Sequence, residues 1–177
     1  MKPKNDEITN NYLKTIHRFL EFAKAVPLKG KALKKQFEGF SIIYDGYWTR
    51  YKITDAPLRC QLPEEPSELL VLPECARNCW KLLMFRRKRE EVQTSVDLLT
   101  PMLKEGEIKA LKHNGGCHEA DLPTDSFVIV IYTWGTEERD ELKAKLHSNG
   151  FTSIPYRRGC KMFESRFGHW KQWFNEE

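Results

Sequence analysis

The sequence has no run of apolar residues approaching the ~18 needed for a membrane span, so an integral membrane protein is not expected. Its first residues, Met1-Lys-Pro-Lys-Asn-Asp-Glu7, lack the apolar stretch of a secretory signal, and the expected location is cytoplasmic. Cysteine is sparse and odd in number, five in all, which does not read as a disulfide framework. Reduced, partly buried thiols are the plainer reading. Cys75 and Cys79 have three residues between them and His113, Cys117 and His118 follow, but no second close pair completes a zinc set. We expect no metal and no cofactor. No cysteine is matched to a histidine in a strained turn, and no carboxylates are paired in the apolar strands. Thiol nucleophiles and two-carboxylate hydrolysis are disfavoured accordingly. The net charge, +4, is also small. It admits an anionic partner but falls short of a dedicated nucleic-acid binder. Internal repeats and low-complexity tracts are absent too.

What remains is a globular chain. Its 177 residues are 40% hydrophobic, with ten Phe, six Tyr and five Trp, enough for one domain over 1–177 with a real core. Within it, 1–39 reads as a helical N-terminal segment. Ile8, Tyr12, Ile16, Phe19, Leu20 and Ala23 fall at helical spacing and stop before Pro27, and a short second helix is expected from Lys31 to Phe37. At 40–54 the period changes. Ile42, Ile43 and Tyr44, then Tyr47, Trp48, Tyr51 and Ile53, predict two strands turned at Asp45-Gly46. Residues 55–79, with Pro57, Pro63, Pro66 and Pro73, read as a long surface loop holding one short strand at Leu69–Leu72.

The second half carries two strand–helix–strand patterns. The first runs Trp80-Lys-Leu-Leu-Met-Phe85, a helix from Lys88 to about Lys104 stopped by Gly106, then Ile108-Lys-Ala-Leu-Lys112. The second runs Phe127-Val-Ile-Val-Ile-Tyr132, a helix from Thr136 to about His147 with Thr136 as its N-cap, then Phe151 to Arg158. The loop from Asn114 to Asp125 lies between the two units. Both units end in cations. Lys81, Lys112, Arg157 and Arg158 sit at or near strand ends, where they could surround one phosphate.

Each has a plainer reading. Lys81 points away from its apolar neighbours and suits a solvent-facing position. Lys112 is expected to share a strand face with Ile108 and Ala110, with Lys109, Leu111 and His113 on the other. A lysine that continues an apolar face is unusual, and desolvation favours the neutral amine that acts as a base. Arg157 and Arg158 follow Ile154-Pro-Tyr at a strand end, a setting for bidentate phosphate recognition, although solvated charge is the commoner role of an arginine pair. Arg86-Arg-Lys-Arg89 reads as a solvated patch. Trp48, Trp80 and Trp134 lie beside strands, where core packing is the default and base stacking the functional alternative. Trp170 and Trp173 are expected to dock the C-terminal tail.

The runs Trp80–Phe85, Lys104-Glu-Gly-Glu-Ile-Lys-Ala-Leu-Lys112, Phe127–Tyr132, Ser148-Asn-Gly-Phe151 and Pro155-Tyr-Arg157 resemble the basophilic-leukaemia-expressed protein family, over roughly residues 78–174. That family is described as phosphothreonine-lyase-like, with a fold like the cap-binding translation initiation factor. The order of elements is also similar to bacterial effector phosphothreonine lyases and to the lyase domains of some lanthipeptide synthetases. In those enzymes a strand lysine removes a Cα proton, phosphate leaves by β-elimination, a histidine acts as acid and arginines hold the phosphate. The resemblance places Lys112 as the base, Arg157 as a phosphate ligand and Tyr132 as a wall of the site. Lys81 stands where the effector enzymes keep the acid histidine, and lysine is a poorer acid near neutrality.

The expected fold is α+β: a curved, mostly antiparallel sheet with helices against one face, like the initiation factor. Alternation of strands and helices by itself would favour a parallel sheet, and the resemblance decides between them. The expected function is recognition of a phosphorylated side chain or other phosphate ester, with carbon–oxygen lyase activity as its catalytic form. Lys112 would serve as base, Arg157 and Arg158 as the clamp, Lys81 as a further cation. Elimination proceeds by proton transfer and charge neutralisation, without a metal. The rival readings are a nucleotide or RNA-end binder on the same fold, using Trp48, Trp80 or Trp134, and a non-catalytic structural adaptor.

Overall fold

The computed structural model describes residues 3–26, 28–53, 80–114, 127–133 and 135–158. Its elements are α1 (Pro3–Ala25), β1 (Leu33–Phe37), β2 (Phe40–Tyr44), β3 (Thr49–Ile53), β4 (Trp80–Arg86), α2 (Arg89–Lys104), β5 (Ala110–His113), β6 (Phe127–Thr133), α3 (Thr136–Ser148) and β7 (Tyr156–Arg158). The expectations for 55–79, all five cysteines, His118, Trp134, Trp170 and Trp173 lie outside the described residues. Among the described residues no helix is long and apolar enough to cross a membrane.

The seven strands form one sheet in the order β1-β2-β3-β5-β6-β4-β7. Every adjacent pair is antiparallel, so the architecture is α+β and the parallel alternative is set aside. The reason is that the two strand–helix–strand units interleave. β6 lies between β4 and β5, and β4 lies between β6 and β7. The two strands of each unit therefore run the same way without touching, in the manner of a split β-α-β arrangement. A periodicity that reads as parallel sheet thus builds an antiparallel one.

Helices cover one face. Ile16, Phe19, Leu20 and Ala23 of α1 form a core with Val92, Val96, Leu99 and Leu103 of α2, Leu142 and Leu146 of α3, and strand residues Phe40, Ile42, Tyr51, Leu82, Met84, Leu111, Ile129 and Ile131. The helical residues recur at three- and four-residue spacing, as one buried stripe requires. α2 and α3 end alike. Gly106 and Gly150 adopt φ of 80° and 89°. The N–H groups of Glu107 and Phe151 close onto the carbonyls of Met102 and Leu146, a Schellman cap that glycine makes sterically cheap.

Three local expectations need correction. Lys31–Phe37 is not a helix, because Leu33–Phe37 pairs with Phe40–Tyr44 across a turn at Glu38-Gly39, Gly39 having φ 82°. Alternation in Leu33-Lys-Lys-Gln-Phe37 serves this hairpin: Leu33 and Phe37 pack on the core. Thr136 does not cap α3. Gly135 holds that position without a side-chain bond, and the Thr136 hydroxyl instead accepts the Trp80 indole N–H at 3.1 Å. Ile108 does not share a face with Ala110 and Lys112. The strand begins only at Ala110, and Ile108 turns into the core beside Leu111.

β6 is central, and Ile131 on it is fully buried. Ile131→Ala is expected to cost about 2–5 kcal/mol of unfolding free energy. Ile8→Ala, at a side chain 63% exposed, should stay within about 0.5 kcal/mol. Urea denaturation of both variants checks the contrast.

Candidate phosphate-binding face

The sheet's other face is free of the three helices. Alternation along each strand places Lys34, Ile43, Arg50, Lys52, Ala110, Lys112, Val130, Tyr132, Lys81 and Leu83 on it. Ala110, Val130 and Tyr132 form a small buried apolar cluster there, flanked by Leu83 and Val128. The cations named by the sequence fall into two groups on this surface.

One group lies on β4, β6 and β7. Lys81 is the register partner of Tyr132 on one side and of Arg157 on the other. Directly opposed residues in an antiparallel pair are ~4.5–5.5 Å apart at Cα, so the register sets Lys81 and Arg157 side by side on neighbouring strands. The Lys81 ammonium sits 5.8 Å from the centre of the Tyr132 ring. The other group lies on β3 and β5. Lys112 is the register partner of Arg50, and its ammonium stands 3.9 Å from the centre of the Trp48 ring. The ring's negative face attracts an ammonium ion. Arg50 also pairs with Asp45, whose carboxylate accepts the backbone N–H groups of Tyr47 and Trp48 at 3.1 and 2.6 Å and so fixes the β2–β3 turn.

The two groups are apart. Lys81 and Lys112 are two strand steps and two residues from each other, about 12 Å at Cα, and Lys112 and Arg157 are about 16 Å apart. The head of Lys112 turns further away, toward β3. In β-elimination the departing phosphate and the proton removed lie on adjacent carbons, so a base and a phosphate clamp must converge. Register makes Lys81 and Arg157 neighbours, whereas Lys112 and Arg157 are separated by two strands.

Other named residues are elsewhere. Arg158 is the register partner of Trp80, on the opposite side of the sheet from Lys81. Trp80 lies on the helix side, with the Arg139 guanidinium 4.2 Å from its ring and Tyr156 edge-on at 5.3 Å. It therefore does not share a surface with Lys81 and Lys112. Arg86 departs from the solvated-patch reading. Its Nε donates to Ser95 Oγ at 3.0 Å, and its guanidinium stacks 4.5 Å from the Phe151 ring. Sequence reasoning missed Arg50 and Lys52. The signal was the alternation Trp48, Arg50, Lys52 along β3, which the aromatic content of the hairpin overshadowed.

No family model and no curated protein matches this chain. The functional reading therefore rests on the residues themselves. Among the described residues no group of three or more His, Cys, Asp or Glu is placed to hold a metal ion.

His113 belongs to the interior rather than to this face. Its Nδ1 lies 3.0 Å from the Asn114 carbonyl, which can only accept, so Nδ1 carries the proton. Nε2 is then the acceptor for the Tyr51 hydroxyl at 3.2 Å. Leu20, Lys24, Thr49 and Gln93 help line a cavity of about 30 Å³ beside it, room for a water molecule. Burial holds the imidazole down to about 4, against which the Asn114 hydrogen bond works only in part. Burial likewise pushes the Tyr51 phenol up.

The unfolded chain binds this proton near pH 6.5 and the folded chain only near 4. The stability associated with neutral His113 is intact above pH 6.5 and is lost as pH falls toward 4, about 3 kcal/mol in all. Urea denaturation at a series of pH values should show this loss in the native protein. His113→Gln should lack that part of the slope.

Proposed function

We propose that the sheet face opposite the three described helices recognises a phosphate ester, either a phosphorylated protein side chain or the phosphate of a nucleotide. The observation that carries the reading is the direct cross-strand placement of Lys81 and Arg157 beside Tyr132. Lysine contributes a point charge and arginine a planar fork, which together match a tetrahedral dianion. The helices on one side of an antiparallel sheet agree with the initiation-factor-like architecture implied by the resemblance, and with a phosphothreonine-lyase-like ancestry in which Lys112 is the base. Recognition comes first in this reading. Elimination would follow only when bound substrate draws Lys112 from Trp48 toward the β4–β7 group. A soluble, cytoplasmic setting with phosphorylated proteins as partners accords with it.

One observation favours a nucleotide as the ester. Trp48 stands on the same face, with Arg50 and Lys112 next to it, so a base could stack where a phosphate is also bound.

Titrating inorganic phosphate, a phosphothreonine peptide and a capped nucleotide against tryptophan fluorescence ranks the ligands. Lys81→Ala should weaken the preferred one about tenfold or more, the cost of a charge-assisted hydrogen bond. Equal affinity in the native protein and in Lys81→Ala and Arg157→Ala variants would remove the site. Incubation with the phosphopeptide and mass spectrometry tests the reaction: elimination yields a product lighter by phosphoric acid, and only with Lys112 intact.

A further inference from the structure

On the helix side of the sheet, away from the phosphate-binding face, Tyr44, Thr49 and His113 stand in one row. Thr49 is the register partner of Tyr44 on one side and of His113 on the other. Facing them, Lys24 in the last turn of α1 and Arg89 and Gln93 at the start of α2 help enclose the cavity of about 30 Å³. Its floor is buried, with Thr49 only 2% exposed. Lys24, Arg89 and Gln93 are part-exposed, so a small solute reaches the cavity from solvent.

The first sign of a ligand is Thr49. Its hydroxyl makes no hydrogen bond with a described residue and, unlike that of Ser41, is not sealed off. The strand directs this side chain, like that of His113, toward the helices and so onto the cavity. A buried hydroxyl without a partner is rare, because burial removes the water that would serve it. The second sign is charge. Among the described residues lining the cavity the charged ones are Lys24 and Arg89, both cations. Glu21, itself exposed, takes one proton of the Lys24 ammonium at 3.0 Å and leaves two donors. The Lys24 charge reaches the interior, where it works with burial against protonation of His113. His113, bonded at both nitrogens in its neutral form, adds no charge of its own.

We propose that this cavity binds a small monovalent anion, chloride by size, held by the Thr49 hydroxyl, the Lys24 ammonium and the field of Arg89. Hydrogen bonds from these donors to an anion are charge-assisted. A cation finds no carboxylate among the described lining residues, and a phosphate ester is too large for a space that admits little more than a water molecule. The site is independent of phosphate recognition, which uses the other side of the sheet. Its occupant joins the end of α1 and the start of α2 to β3 and therefore stabilises the folded chain by linkage.

The test replaces potassium gluconate, too large for the cavity, with potassium chloride at constant ionic strength, so that screening is fixed. Urea denaturation should show a saturable rise in stability with chloride. Thr49→Val, which keeps the shape and removes the donor, should weaken the anion about fivefold, and Lys24→Met about tenfold or more. Without chloride, Thr49→Val should be no less stable than the native protein, because an unpartnered polar group is gone. Lys104→Ala, at the far end of α2 and paired with Glu38, should keep the native chloride response. Crystals grown in bromide should show anomalous density between Thr49 and Lys24. Bromide confined to other positions, or a chloride response equal in Thr49→Val and the native protein, identifies an adventitious ion only and overturns the site. Stability indifferent to chloride overturns it too, and leaves the cavity to water. The phosphate-ester reading stands or falls separately, on the Lys81→Ala and Arg157→Ala titrations.

Discussion

Seven consecutive register pairs join β4 to β6, from Trp80 opposite Thr133 to Arg86 opposite Phe127. That ladder is the contact by which two split strand–helix–strand units lock together, because each unit supplies the strand that fills the other's gap. The consequences run in both directions through the sheet. On the helix side the ladder sets Leu82 and Met84 against Ile131 and Ile129 in the main core. On the other side it sets Lys81 against Tyr132, and by way of β7 against Arg157. A one-residue slip would exchange the two sets and drive a lysine into the core, so the hydrophobic pattern that holds the fold also fixes the cations.

The division of polar character follows from this arrangement. A sheet with helices on one face presents alternate residues of every strand to the other, and here all charged strand residues are basic. Among the described residues the acids lie on helices and connections, as at the start of α2. There Glu91 accepts the backbone N–H groups of Lys88 and Arg87, which hold its carboxylate below the usual range. Acid at a helix N-terminus is favourable through the macrodipole. Among the described residues the sheet thus carries only basic charge, whereas the three helices are close to balanced, with ten acids and nine bases.

The interior histidine shows a different balance. His113 follows Lys112 in the strand, yet the pleat sends it to the other face, into the contact of α1 and α2 with the sheet. There it is fully bonded in its neutral form, by the Asn114 carbonyl and the Tyr51 hydroxyl. Its neutrality is a condition of the packing. The part-buried His17, bonded to Asp97 at 2.8 Å, ties α1 to α2 nearby by a charge-assisted contact instead.

Much of the fold was legible in the chain. Period 3.6 located α1, α2 and α3 within a residue or so of their ends at Ala25, Lys104 and Ser148. Asp45-Gly46 marked its turn, and Gly106 marked a helix end, because capping and turn chemistry are local. The Leu33–Phe37 hairpin was missed, since a five-residue strand with two lysines carries little periodic signal and its pairing with β2 decides it. Strand order was beyond local reading. Identical alternation of elements is compatible with adjacent or interleaved units, and only the packing of both units on one core selects the second. The candidate cations were legible as residue types at strand ends. Their grouping was not: Lys81 with Arg157, Lys112 with Arg50 and Trp48, and Trp80 on the far side. The sequence by itself determined which residues alternate and which segments are helical. The tertiary structure decided which strands are neighbours, because pairing joins residues far apart in the chain, and with it which charges can act together.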